Sequence, residues 1–206
     1  INLIGIFTKF IFWHNISIYN VIHFDAKFVN KKWLLIYIKT IKLIRPNLVF
    51  VSDFAKFRLG EISNLKKIRS KIIYNSIDKR FFKTIYNKIL KKINSKKIHI
   101  GFIGRYKPIK RLPLFIQICN ELSKLNKNLY KFVIQSDISK KQLIDLLKTL
   151  SDHHKISLKF KDFQLISSED NPTRFYKICD IVISTSKTES FGLVFVETIA
   201  MGKRFY

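Results

Sequence analysis

Two carboxylates, Glu189 and Glu197, stand eight residues apart, with Ser186 just before the first and Phe191-Gly192-Leu193 between them. Ahead of them, Asp180-Ile181-Val182-Ile183-Ser184 is a β-branched run of the kind that forms a buried parallel strand. After Gly192 the apolar residues Leu193, Phe195, Val196, Ile199 and Ala200 change to helical spacing, and Gly202 stops them. The order is strand, polar turn, glycine, helix. In an open α/β sheet it places Thr188 to Leu193 at the carboxyl end of a strand, where ligands bind. Free N–H groups at a helix start favour an anion, and Gly192 allows close approach to the backbone. Ionised carboxylates in turn accept strong hydrogen bonds from hydroxyls. The ligand that suits both has phosphate and hydroxyl groups, as a nucleotide sugar does. An amphipathic helix with two solvated glutamates would carry the same residues.

A second anion site follows the apolar strand Ile98 to Ile103. It is the turn Gly104-Arg105-Tyr106-Lys107-Pro108-Ile109-Lys110-Arg111, which leads into a helix over Leu112 to Leu125. The turn is neither a Walker loop nor a Gly-x-Gly-x-x-Gly fingerprint. Its binding power lies in fixed charge. A charge-assisted bond to phosphate contributes roughly 1.5–3 kcal/mol, against ~0.3–1 kcal/mol for a helix dipole, so Arg105 and Lys110 are expected to dominate diphosphate binding.

The stretch Ser186-x-x-Glu189-x-Phe191-Gly192-Leu193-x-x-x-Glu197, with Ala200 and Gly202 after it, resembles the signature of retaining GT-B glycosyltransferases of family 4. The turn from Gly104 through Arg105 to Lys110 resembles the segment in which that family holds the donor diphosphate. Asn47 to Ser52 and Lys71 to Asp78 resemble the passage that closes its first Rossmann domain. Arg111 stands where glycine is usual, Ser76 and Lys161 likewise, and Gln135-Ser136-Asp137 replaces a common Gly-x-Gly.

The resemblance covers about residues 47 to 202, and it implies a division of roles. Arg105 and Lys110 would stabilise the leaving diphosphate, and Glu189 would hold sugar hydroxyls. Glu197 would hold the ribose, while Gly104, Ser186, Phe191, Gly192 and Leu193 complete the donor site. His14, after a strand at residues 8 to 13, looks like the family's acceptor-side histidine; a histidine satisfying a loop backbone fits that stretch equally. The implied catalytic set is therefore His14, Arg105, Lys110 and Glu189, with no metal ligand and no cofactor beyond the nucleoside-diphosphate sugar itself. No Asp-x-Asp is present, so a metal-bound diphosphate has no support in the sequence.

The remaining elements fit that frame. The fold class is α/β, GT-B: two Rossmann-like parallel-sheet domains, the first expected to lack its start and the second its end. Residues 1–94 hold the acceptor-side part with a basic connection, and residues 95–206 the donor-binding part. A helix is predicted over residues 29 to 44, with Trp33, Tyr37, Ile41 and Ile44 on one side and Lys31, Lys32, Lys39, Lys42 and Arg45 clustered, ending at Pro46. Further strands are expected at Tyr130 to Gln135 and Ile156 to Phe160, and helices at Lys140 to Leu150 and Pro172 to Cys179. His153-His154 reads as surface loop.

With 206 residues, 47% hydrophobic, the chain has ample material for a core. Its net charge of +25 invites a nucleic-acid reading, but the lysines are spread throughout and only Tyr86 interleaves the basic residues from Lys83 to Lys97, so no specific nucleic acid is expected. Cys119 and Cys179 have no metal or disulfide spacing and read as buried thiols. The uncharged stretch from Phe10 to Phe24 is too short and polar to span a membrane. The basic helix fits peripheral contact with an anionic membrane, or simply a solvated face.

The implied function is retaining transfer of a hexosyl residue from a nucleoside-diphosphate sugar to a glycan or lipid-linked acceptor, in the cytoplasm or on the inner membrane face, in cell-surface polysaccharide or lipopolysaccharide synthesis. The 206 residues alone are expected to transfer nothing. The rivals are an inactive fragment or basic binding module without catalysis, and a nucleotide-sugar epimerase of the same fold.

Overall fold

The computed structural model describes residues 17–65, 68–86 and 97–206. His14 and the strand expected at residues 8 to 13 lie outside them. The chain divides into two compact units: one formed by residues 1–76 with 188–192, the other by residues 77–187 with 193–206.

In the first unit, strands β1 (Tyr19–Ile22), β2 (Asn47–Phe50) and β3 (Ser70–Ile72) run parallel in that spatial order. Helix α1 (Lys31–Ile44) joins β1 to β2, and α2 (Asp53–Ile62) follows β2. Each helix begins where a side chain supplies the cap. Asn30 accepts from the Lys32 amide at 3.0 Å, and Ser52 from the Ala55 amide at 3.0 Å. Arg45, with φ of 48°, closes α1 just before Pro46. The buried face of α1 is Leu34, Ile38 and Ile41, packed with Ile22, Leu48, Phe50 and Ala55. Of the expected face, Ile41 is buried and Tyr37 packs against this core, while Trp33 does not join them. Trp33 is 62% exposed and stands with Ile36 and Leu43 on the solvent side, among the lysines.

The second unit holds strands β4 (Ile98–Ile103), β5 (Tyr130–Ser136), β6 (Phe163–Ser167), β7 (Ile181–Val182) and β8 (Arg204–Phe205), all parallel, in the order β6-β5-β4-β7-β8. Helices α3 (Lys79–Tyr86), α4 (Leu112–Leu125), α5 (Lys140–His154), α6 (Pro172–Ile178) and α7 (Leu193–Ala200) accompany them. The chain builds outward from β4 to β6, then returns to the other side of β4. The strand order therefore reverses between β4 and β7, the position at which open parallel sheets take ligands outside the carboxyl ends.

Phe102, Phe115, Ile116, Ile134 and Leu143 are at most 2% exposed and form the core between β4, β5, α4 and α5. Burying each side chain contributes about 1.5–3 kcal/mol. A second cluster, with Phe175, Tyr176, Cys179 and Val182, packs Phe81 and Met201. Both cysteines are buried thiols outside any disulfide. Burial pushes the Cys119 thiol well above its ordinary pKa.

The strand expected at Ile156 to Phe160 is absent. Ile156 and Leu158 are buried as its alternation implies, but side chains occupy the backbone N–H groups that a strand would need. The Ser157 amide donates to Asn120 Oδ1 at 2.9 Å, and the Lys159 amide to Asp162 Oδ2 at 2.7 Å. A 3-10 turn at Phe160–Asp162 follows, and β6 begins only at Phe163. His153 and His154 likewise form the last turn of α5, ahead of the left-handed Lys155 (φ 52°), and are not in a loop. Among the described residues, no helix is long and apolar enough to cross a membrane.

Candidate active site

The cationic turn starts where β4 ends. The Gly104 amide donates to the Gln135 carbonyl at 3.0 Å, the last link to β5. Residues Pro108–Lys110 then form a single 3-10 turn, started by Pro108 and closed by Arg111. Arg111 has φ of 50°, the left-handed region, which explains why a glycine is usual there. A β-carbon on Gly104 would lie 3.7 Å from Lys110 Cγ and Cδ, so the lysine stem runs beside Gly104. Arg105 is exposed and Lys110 half-buried.

Asp137, in the place of the usual Gly-x-Gly, sits at the end of the neighbouring β5. The Tyr106 amide donates to its carboxylate and so holds its pKa below the usual range, with smaller help from the Ser136 hydroxyl and the Arg105 charge. Gln135 Nε2 donates to the carbonyls of Ser167 (3.0 Å) and Asp170 (2.9 Å), tying β5 to the turn after β6.

The other half of the site follows β7. The Ile183 amide donates to Gly101 O at 2.9 Å, carrying the pairing with β4 one residue further. Next the Lys187 amide donates to Ile109 O at 2.8 Å. Ser186, between these links, is thereby set beside the turn that carries Lys110. Within the second unit the structure brings Gly104, Lys110 and Ser186 to the carboxyl ends of two adjacent strands.

Glu197, on α7, is turned to an interior partner. Tyr176 Oη, in a residue with no exposed surface, donates to Glu197 Oε2 at 2.7 Å. Burial raises the Glu197 pKa and this hydrogen bond opposes the rise; the Tyr176 pKa is itself driven up, first by burial and then by the Glu197 charge. Leu193, at the start of α7, is 39% exposed.

The segment Thr188–Gly192 belongs by its contacts to the first unit. Thr188 Oγ1 donates to Asp25 Oδ2 at 2.7 Å, and Ser52 Oγ donates to the Ser190 carbonyl. The Phe191 ring lies 6.3 Å from that of Tyr74 and packs against the first unit's core. Gly192, with φ of 81°, makes the left-handed bend into α7. Glu189 is exposed in the middle of this anchored segment.

Three residues of the first unit carry no role in the sequence reading. Asp25 is 6% exposed and also accepts from the Lys27 amide (3.0 Å), with Arg58 Nε 3.4 Å away. Ser52 serves as both helix cap and loop anchor. His23 directly follows β1, so it is the histidine that the described residues place at the carboxyl end of a first-unit strand. The available signal is the run Val21-Ile22-His23-Phe24-Asp25, apolar residues ending in a titratable pair.

Residues 86–204 match the family described as Glycosyl transferases group 1. Among solved structures, the Anabaena protein HepE in complex with UDP and glucose is similar at 16% identity and a TM-score of 0.75, over 98% of this chain and 55% of that one. A mutant of S. aureus TarM, solved in complex with Fondaparinux, alpha-GlcNAc-glycerol and UDP, is similar at 20% identity and a TM-score of 0.69, over 98% and 39%. A glycosyltransferase from Rickettsia africae matches at 22% identity and a TM-score of 0.62, over 94% and 52%. At these identities the likeness is one of fold, the α/β, parallel-sheet GT-B fold expected above. The chain spans about half the length of the solved structures it resembles. No curated protein matches it in sequence.

Proposed function

Because this chain belongs to the glycosyl transferases of group 1, we propose that it holds a nucleoside-diphosphate sugar and serves retaining hexosyl transfer, as in family 4. The observation that carries this reading is the strand-order reversal between β4 and β7, with the Arg105–Lys110 turn and the Ser186 stretch at adjacent strand ends. Arg105 and Lys110 stabilise the leaving diphosphate where its charge develops. Glu189 accepts hydrogen bonds from sugar hydroxyls. Glu197 Oε2 is engaged by Tyr176, so ribose binding falls to Oε1. Residues 95–206 carry the donor side and residues 1–94 the acceptor side. His23 takes the acceptor-side position there, alongside His14 as the sequence alternative. The acceptor is a glycan or lipid-linked glycan of the cell surface, and transfer belongs to the whole protein rather than to these 206 residues.

Binding of UDP or GDP in the presence of chelator is the expected result in titration calorimetry on the chain. A signal that appears only with added magnesium or manganese overturns the metal-independent reading. Absence of any nucleotide binding overturns the donor site.

The protein acts on the cytoplasmic side, with α1 touching the membrane. The exposed Trp33, Ile36 and Leu43 lie among Lys31, Lys32, Lys39 and Lys42 on one helix, an apolar and cationic surface suited to anionic headgroups. Each lysine contributes about 1 kcal/mol at such a surface. Replacing all four by Gln is expected to lower co-sedimentation with phosphatidylglycerol vesicles by about 100-fold or more. Unchanged adhesion means that the face is only solvated.

A further inference from the structure

Beyond Gly101 and Ile183 the hydrogen-bond ladder between β4 and β7 ends, yet the segments that continue from the two strands stay together. Three side-chain bonds do this besides the Lys187–Ile109 link. Thr185 Oγ1 donates to Lys110 O at 2.8 Å and, as a three-centre bond, to Arg111 O at 3.0 Å. Arg111 Nε donates back to Thr185 O at 2.7 Å. The bracket is reciprocal, and it is buried at its centre, where Thr185 is only 4% exposed.

Both residues are chemically suited to this work. Threonine is stiff at χ1, so its hydroxyl is held in one direction. Arg111 keeps a left-handed backbone (φ 50°) that crowds any side chain, and its guanidinium returns a bond across the strand-order reversal that a glycine could not make. What the bracket holds is the backbone of Lys110 itself, at both its own carbonyl and the next.

We propose that Thr185 and Arg111 are positioning residues that lock the Lys110 turn to the stretch Ile183 to Lys187, so that the Lys110 cation is fixed at the carboxyl ends of β4 and β7 where it meets a diphosphate. This rests on the donor-site reading above. Because the bracket touches only the phosphate-facing turn, its loss should be felt by a ligand with a diphosphate and not by the bare nucleoside.

The test is titration of the chain with UDP and, separately, with uridine. Thr185→Val, close in shape but without the hydroxyl, is expected to weaken UDP about tenfold and leave uridine within twofold. Thr185→Ser, which keeps the donor, is expected to restore UDP binding. Arg111→Gly removes the guanidinium while suiting the left-handed backbone, so it stays folded even if the buried valine does not. It is expected to weaken UDP about fivefold with uridine unchanged. The proposal is overturned if Thr185→Val and Arg111→Gly bind UDP like wild type, or if UDP and uridine weaken equally, which marks a purely structural staple. A wild-type chain that binds no UDP points instead to failure of the donor reading, and the proposal falls with it.

Discussion

Glu189→Ala is expected to lower the proposed sugar transfer by roughly 100-fold, and Lys110→Ala by a comparable factor, while Glu169→Ala leaves it within about twofold. A hydrogen bond to a charged group is worth about 1.5–3 kcal/mol, and every 1.36 kcal/mol is tenfold in rate. Loss of one carboxylate–hydroxyl bond at Glu189 therefore spans roughly tenfold to 160-fold. On the donor-site reading proposed above, Lys110 meets the charge that develops as the diphosphate leaves, so its removal should fall on kcat. Glu169 is an exposed residue in the turn after β6, where the Ser167 hydroxyl already accepts from its backbone amide at 3.2 Å. Initial rates with saturating donor decide the matter, and equal losses in all three variants would sink the assignment.

Gly101→Val is expected to be the most damaging single change in the second unit. Gly101 lies in the central strand β4, paired with Val133 on one side and Val182 on the other. A β-carbon there would collide with Cys179 Sγ and sit 2.5 Å from Phe175 Cζ, both in residues with no exposed surface. A strand laddered on both sides cannot step away. Overpacking of a tight core costs about 1–3 kcal/mol, and valine adds two further carbons to the clash. Urea titration should show a loss of at least about 3 kcal/mol for valine, with alanine between it and wild type. Cys179→Ala in the Gly101→Ala background should recover part of the loss, because the two sites are in contact. A valine variant within about 1 kcal/mol of wild type would show that the helix α6 can withdraw.

Elements whose pattern is local are readable. The strand Ile98 to Ile103, the helix Leu112 to Leu125 and the change of period after Gly192 each announce themselves within a dozen residues, and all three stand in the structure. The strand β1 escapes such a reading because its exposed positions, Tyr19 and Val21, are apolar, so no alternation shows. The misplaced strand before Phe160 has a cause outside its own window, since Asn120 claims the Ser157 amide from 37 positions away. The face of α1 is legible at Tyr37 and Ile41 but not at the exposed Trp33, nor at the buried Leu34 and Ile38. At the candidate site the chemistry-bearing types are legible, as is the oddity of Arg111. The anchors Asp25 and Ser52 are not, because what they hold lies 163 and 138 positions further along the chain.

Those separations bear on how the molecule folds. Closing a loop costs roughly (3/2)RT ln n, which for a separation of that length is about 4–5 kcal/mol. Apart from β4 and β7, whose paired residues are 81 positions apart, neighbouring strands of each sheet and their intervening helices bring together residues much nearer in sequence, and such contacts form early. The contacts of Thr188 and Ser190 come late on this ordering, after both sheets exist to receive them. They are also the contacts that can let go without dissolving either sheet. The last stretch of chain to settle is then the one that bears Glu189, so the molecule can be almost wholly folded before that carboxylate is in place.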